Sequence, residues 1–343
     1  MKALVKEKRG PGLTLKEVQN PRPGPGEVLL QVKVMSICGT DVHIYEWDEW
    51  SASRIRPPRI IGHEFAGEII DLGQGVKGLT NGDLVTAETH IADNTCDLCR
   101  TGNAHICENV QILGIDRDGS YAELVTIPAE NAWKVSPHIP LKVASVMEPI
   151  GNAVHTALAG EVVGLSALVT GCGPIGLFSI GVLKATGART VIATDIQDYR
   201  LKIAADMGAD IMINASNEDV VSVVRKKTGR RWVDIHLEMS GSETAIHQGL
   251  ELLKPGGRAS FLGIPHGRSE MDLAEELIFK GITLQGINGR RMFKTWFQTQ
   301  SLLDSGKLDI TPVLTHEMGI DEYDRGIKMI ASGKVGKIVL YHS

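Results

Sequence analysis

The chain has 343 residues, 43% hydrophobic and 22% charged, with a net charge of -5. That length exceeds one ordinary hydrophobic core and implies two domains. Both signs of charge are mixed along it, which offers no basic face to nucleic acid and no polybasic patch to a membrane surface.

The opening MKALVKEKRG has no apolar stretch after its charges, and no run of about 18 apolar residues follows anywhere. A cytoplasmic location is therefore expected. The first 150 residues carry short alternating runs, 28–34 and 65–72 among them, punctuated by glycine and proline at 21–26, 73–78 and Asn81-Gly82. Such punctuation predicts a β-rich domain.

Five cysteines are present, an odd number, and three lie within a dozen residues. In a reducing compartment that clustering points to metal or catalysis rather than disulfides. Cys38 sits in Ser36-Ile37-Cys38-Gly39-Thr40-Asp41-Val42-His43, and Gly62-His63-Glu64 follows 25 residues on. A thiolate, an imidazole and a carboxylate suit a zinc site with a fourth position open. Zinc there acts as a Lewis acid, which favours loss of an alcohol proton at neutral pH. Taken alone, a cysteine and a distant histidine also fit a buried thiol and a surface imidazole. Thr40 and His43 offer a hydroxyl and an imidazole to carry a proton to solvent. Further on, Asp93 and the cluster Cys96-x2-Cys99-x7-Cys107 provide four ligands for a closed structural zinc site. Aspartate is a harder fourth ligand, which lowers affinity or occupancy; three free thiols are the alternative.

From about residue 165 the rhythm lengthens. Apolar runs at 168–170, 190–194, 211–214, 233–238, 259–263 and 283–287 read as buried strands. Helical patterns at 174–186, 199–207, 219–227 and 243–253 alternate with most of them. Together they predict a doubly wound parallel α/β sheet covered on both faces. The strand at 168–170 runs into Gly171-Cys172-Gly173-Pro174-Ile175-Gly176 and then a helix. Gly171 permits the tight turn, Gly173 admits a pyrophosphate to the backbone, and Gly176 lets helix and strand pack closely. The free N–H groups of the helix start complement the phosphates. Asp195 ends the next strand 19 residues past Gly176, where a carboxylate accepts from ribose hydroxyls and repels a 2′-phosphate. NAD is therefore expected over NADP, with Arg200 lying against the adenosine. After about Arg290 come an amphipathic helix at 294–303 and a strand-like 337–341, a tail expected to return to the first domain.

Together these residues resemble the zinc-dependent medium-chain dehydrogenase family from end to end. The likeness is carried by the stretch from Ser36 to Trp50, by Gly62-His63-Glu64, by Glu148-Pro149-Ile150-Gly151-Asn152-Ala153-Val154-His155-Thr156 and by Leu262-Gly263-Ile264-Pro265. It implies a Rossmann domain at 151–290 and a GroES-like catalytic domain at 1–150 to which 291–343 returns, assembled as a homotetramer. By resemblance, Cys38, His63 and Glu64 are zinc ligands, and Glu148 is a carboxylate beside the metal. Thr40 and His43 form the proton relay, and His90 lies near the substrate. Ile175, Asp195, Arg200, Leu262, Gly263, Ile264, Gly286 and Ile287 contact NAD. The second zinc lobe of the family carries four cysteines; here Asp93 stands at the first position. The implied activity is oxidation of L-threonine at its β-carbon with NAD. Oxidation of a polyol or another secondary alcohol is the alternative, and a silent NAD-binding relative a second.

Overall fold

A computed structural model describes residues 1–229, 232–265 and 267–342 of the chain. Its first part is built of strands, as the turn punctuation implies. They are β1 Lys2–Lys6, β2 Thr14–Glu17, β3 Glu27–Ser36, β4 Arg59–Ile60, β5 Phe65–Leu72, β6 Leu84–Ala87, β7 His90–Ile91, β8 Gln111–Ile112, β9 Leu124–Pro128 and β10 Ala132–Lys134. Short helices interrupt them: α1 Gly39–Glu46, α2 Glu49–Arg54, α3 Asp97–Arg100 and α4 Leu141–Ala144. The run at 28–34 alternates in sequence, yet β3 is buried along most of its length. The reason is its place: β5, β9 and a strand from the far end of the chain all pair with it.

Helix α5 Met147–Ala157 leads into six parallel strands: β11 Ser166–Thr170, β12 Thr190–Asp195, β13 Ile211–Asn214, β14 Val233–Glu238, β15 Leu253–Phe261 and β16 Thr283–Gly286. Between them run α6 Pro174–Ala185, α7 Asp198–Asp206, α8 Val220–Thr228 and α9 Glu243–Leu252. The spatial order is β13-β12-β11-β14-β15-β16. Strand order therefore reverses between β11 and β14, and a crevice opens beyond their carboxyl ends. Side chains of β11 alternate between two cores. Ala167 and Val169 join α5, α6 and α7, whereas Leu168 joins α8 and α9. Each fully buried aliphatic side chain contributes about 1.5–3 kcal/mol, and all five residues of β11 are buried.

Strand β15 starts earlier than the run at 259–263 implies, because α9 passes into it without a loop. It also ends at Phe261, since the N–H groups of Leu262 and Gly263 turn back to the carbonyl of Glu238. Last come α10 Lys294–Asp304, β17 Leu314–Gly319, α11 Tyr323–Ala331 and β18 Lys337–Tyr341. Strand β18 pairs antiparallel with β3, setting Val339 opposite Ser36. No helix among the described residues is long and apolar enough to cross a membrane.

Candidate active site

The end of β3 and the start of β5 bring the first cluster together. Cys38 follows β3 and occupies the N-cap position of α1, where its N–H donates to Asp41 Oδ2 at 2.9 Å. Tyr121, fully buried, donates to Ser36 O at 2.8 Å and to Asp41 Oδ2 at 2.5 Å, fixing this corner. Gly62 precedes His63 with φ +94°; a Cβ there would lie 2.4 Å from the Tyr121 ring. One ligand atom each of Cys38, His63 and Glu64 lies within 4.8 Å of the others.

This group fits zinc on its own chemistry. His63 is buried, and its Nδ1 has no hydrogen-bond partner among the described residues. Burial alone would lower its pKa, but Cys38, Asp41 and Glu148 overcome that and push it up to about 10. The groups facing His63 thus favour a positive charge there, which a divalent cation would also supply. Glu64 is buried, accepts from Ser36 Oγ and meets Lys337 Nζ at 2.6 Å. Burial raises its carboxyl pKa, Lys337 opposes that, and Glu148 adds to it.

Glu148 stands in the first turn of α5. It accepts from Arg290, which emerges just past β16 and whose side chain is 1% exposed. The same guanidinium donates through Nε to Glu88 at 2.9 Å and through a terminal nitrogen to Asn152 Oδ1 at 3.2 Å, while Trp296 Nε1 donates to Glu88 at 2.7 Å. One buried cation thus serves two buried carboxylates. Sequence reasoning missed Arg290, Glu88 and Lys337. No local pattern marks them, because each partner lies more than a hundred positions away.

Thr40 Oγ1 lies 3.7 Å from Cys38 Sγ. His43 is half exposed, and its Nδ1 is 2.7 Å from Asp48 Oδ2. His90 sits lower in the cleft. Its N–H donates to Glu88 at 2.9 Å, and Gly289 packs on its ring, where a Cβ would lie 2.8 Å from Cε1. Burial, then Arg290, lower its pKa. Trp47 is partly buried and Trp50 is 43% exposed.

The nucleotide crevice follows from the turn after β11. Gly171 has φ +91°, and a Cβ on Gly176 would lie 2.0 Å from Gly171 O, so helix and strand meet there only through glycine. Around Gly173, the N-cap of α6, the space is open. Ile175 occupies the first turn of that helix. Asp195 accepts from Cys172 N at 2.7 Å and Gln197 N at 2.9 Å, and Arg200 NH1 stands 3.9 Å from it. Cys172 itself is buried and fills the turn. Across the switch point, Leu262 and Gly263 lie against the end of β14, and Ile264 projects into solvent. Gly286 ends β16, and Ile287 N donates to Phe261 O at 2.8 Å. Just past β16, Arg290 binds Glu148, whose charge acts on His63 and Glu64 of the Cys38 cluster.

The cysteine lobe is equally compact. Cys96 Sγ lies 3.5 Å from Cys99 Sγ and 3.9 Å from Cys107 Sγ, and Cys99 Sγ is 3.5 Å from Asp93 Oδ1. The Asp93 carboxylate also accepts from Asn109 Nδ2 at 2.6 Å and from Thr95 N at 2.8 Å, which hold its pKa below the usual carboxylate range. The N–H groups of Asp93 and Asn109 both point at the Cys107 sulfur at 3.4 Å. These four groups fit a zinc ion.

Residues 24–137 match the alcohol dehydrogenase GroES-like domain, and residues 174–305 match the zinc-binding dehydrogenase family. The chain belongs to the zinc-dependent medium-chain dehydrogenases, NAD-linked alcohol oxidoreductases. Relatives within that family that cover nearly the whole chain include L-threonine 3-dehydrogenases. The enzyme of Caldanaerobacter subterraneus subsp. tengcongensis is 48% identical over 99% of both chains. That of Symbiobacterium thermophilum is 49% identical, over 99% of this chain and 97% of its own. Among solved structures, alcohol dehydrogenase from Thermus sp. ATN1 superposes with a TM-score of 0.90 at 30% identity, covering 100% of each chain. The 2R,3R-butanediol dehydrogenase of Bacillus subtilis does so at 0.90 and 26%, covering 100% of this chain and 99% of its own. An Escherichia coli alcohol dehydrogenase in complex with NADH reaches 0.91 at 27%, covering 99% of each.

Proposed function

We propose that the chain oxidises L-threonine at its β-carbon to 2-amino-3-oxobutanoate, passing hydride to NAD. The observation that carries this is the Cys38–His63–Glu64 cluster, on which Glu148 acts electrostatically while it is bound by Arg290, just past β16. It sets a buried site for a cation beside the crevice of a dinucleotide-binding sheet. The near full-length likeness to L-threonine 3-dehydrogenases supports the choice of substrate.

Cys38, His63 and Glu64 hold the catalytic zinc. Bound there, zinc supplies a Lewis acid that makes an alcohol proton easier to lose at neutral pH. Thr40 takes the hydroxyl proton from the substrate and passes it toward His43, whose exposed ring releases it to solvent. Glu148 attracts the substrate ammonium, and His90 lines the same cleft. Gly171, Gly173, Ile175 and Gly176 receive the pyrophosphate. Asp195 holds the adenosine ribose, with Arg200 against the adenosine, while Leu262, Gly263, Ile264, Gly286 and Ile287 line the nicotinamide side. Asp93, Cys96, Cys99 and Cys107 hold the second zinc. Residues 1–150 with 291–343 form the catalytic domain, and 151–290 the NAD-binding domain. The working assembly is a cytoplasmic homotetramer.

The test is NAD reduction with L-threonine, sorbitol and 2,3-butanediol, each with and without a chelator. Turnover of L-threonine that the chelator abolishes is expected. Negligible turnover of L-threonine beside good turnover of a diol would overturn the substrate and leave the dehydrogenase chemistry standing.

A further inference from the structure

A relay histidine works only if one ring nitrogen is held protonated while the other is left to accept. In this chain the holding partner has its own carboxylate: Asp48 Oδ2, 2.7 Å from His43 Nδ1. We propose that Asp48 is a positioning residue of the reaction, fixing the proton of His43 on Nδ1 so that Nε2 accepts the proton arriving from the substrate hydroxyl through Thr40. This rests on the relay assigned above to Thr40 and His43. The accepted proton ends on Nε2, the negative Asp48 stabilises the imidazolium, and the proton departs to solvent from the half-exposed ring. Asp48 gains no proton in the cycle.

The surrounding structure is built to present that carboxylate. Its second oxygen, Oδ1, accepts from Ser51 N at 2.8 Å, where Asp48 caps α2. Both oxygens are therefore occupied, and the group cannot swing freely. Burial works against its charge, but the hydrogen bonds from Ser51 and then His43 outweigh burial and hold its pKa below the usual range. It remains an acceptor at neutral pH.

Asp48 reaches back to His43 only because the chain reverses at Trp47. That residue adopts φ 62°, ψ 52°, a left-handed conformation uncommon for a bulky side chain, and its N–H closes on His43 O at 2.9 Å. Lys6 braces the turn. Its ammonium stands 4.8 Å from the centre of the Trp47 ring and donates to the carbonyls of Gly10 and Gly12, the latter at 3.0 Å. The connection between β1 and β2 thereby holds the turn that aims Asp48. The His43–Asp48 pair is exposed and contributes little to stability, so it accounts better for orientation than for folding.

The experiment compares wild type, Asp48→Ser, Asp48→Asn, His43→Ala and the Asp48→Ser/His43→Ala double variant, each loaded with zinc and assayed with L-threonine and NAD. Serine keeps a good cap on α2 but is too short to reach His43. Asparagine keeps the cap through its one oxygen but turns its amide N–H groups toward Nδ1, which favours the wrong tautomer of His43. Asp48→Ser is expected to lower kcat about tenfold with KM changed by less than about twofold, a part of the effect of a full acid–base group. Asp48→Asn should be at least as slow as Asp48→Ser although it keeps the cap, and the double variant should be no slower than His43→Ala alone. Wild-type kcat in Asp48→Ser beside a slow His43→Ala would overturn the proposal. So would losses that multiply in the double variant, or a loss confined to KM or to zinc content. An unimpaired His43→Ala would instead overturn the relay itself.

Discussion

Lys337 Nζ stands 2.6 Å from each carboxylate oxygen of Glu64, across 273 positions of sequence. Both groups are buried, Lys337 at the start of β18 and Glu64 just before β5, and the pairing of β18 with β3 brings them together. Removing one partner of such a pair strands the other charge in the interior. Lys337→Met is expected to cost about 3–5 kcal/mol in urea unfolding. Adding Glu64→Gln to it should recover part of that loss, because the stranded charge is then gone.

The glycine turn makes a sharper claim about the cofactor. A methyl group on Gly176 would collide with the Gly171 carbonyl at 2.0 Å, and that backbone cannot yield without moving the phosphate cradle. Gly176→Ala should therefore weaken NAD binding at least about tenfold, or about 1.4 kcal/mol, as read by calorimetric titration. Retained zinc content would show that the metal half stays intact.

His236 gives the fold an acid-sensitive point. It is fully buried on β14, its Nε2 is 3.0 Å from Thr170 Oγ1, and its ring fills the space left by Gly249. Burial pushes its pKa from 6.5 down to about 3. As pH falls below 6.5 the unfolded chain takes up a proton that the folded chain refuses until about pH 3. Stability is lost as pH falls through that window, by up to about 1.4 kcal/mol per pH unit from this residue. Urea unfolding of His236→Gln between pH 7 and pH 5 should show a shallower decline than wild type.

Asp93 should set the strength of the second zinc site proposed above. Its carboxylate completes a four-ligand cluster but is a harder donor than the three sulfurs beside it. On graded dialysis against a chelator, Asp93→Cys should hold that zinc to chelator concentrations about tenfold higher, and Asp93→Ala should release it first. Elemental analysis of zinc per chain reads both.

What the sequence made legible follows from how local each signal is. The bounds of β13, β14 and β18 were read correctly because their apolar runs are short and bounded by turn residues. The glycine turn and Asp195 lie within one βαβ unit, so their spacing alone describes their geometry. Cys38, His63 and Glu64 are joined through β3 and β5, neighbours in the sheet. Arg290 was not legible. Its role comes from Glu88 and Glu148, which only the docking of α5 and the end of β16 brings to it. Asp48 lay within a motif already singled out, but the left-handed turn at Trp47 that returns it to His43 has no signature in residue type.

The central claim is that hydride leaves the β-carbon of L-threonine for a nicotinamide bound beside the Cys38 cluster. It is tested most directly with L-threonine carrying deuterium at the β-carbon, followed by mass analysis of the reduced cofactor. One deuterium per molecule of reduced nicotinamide is predicted. Unlabelled reduced cofactor, formed while the labelled L-threonine is consumed, would contradict it.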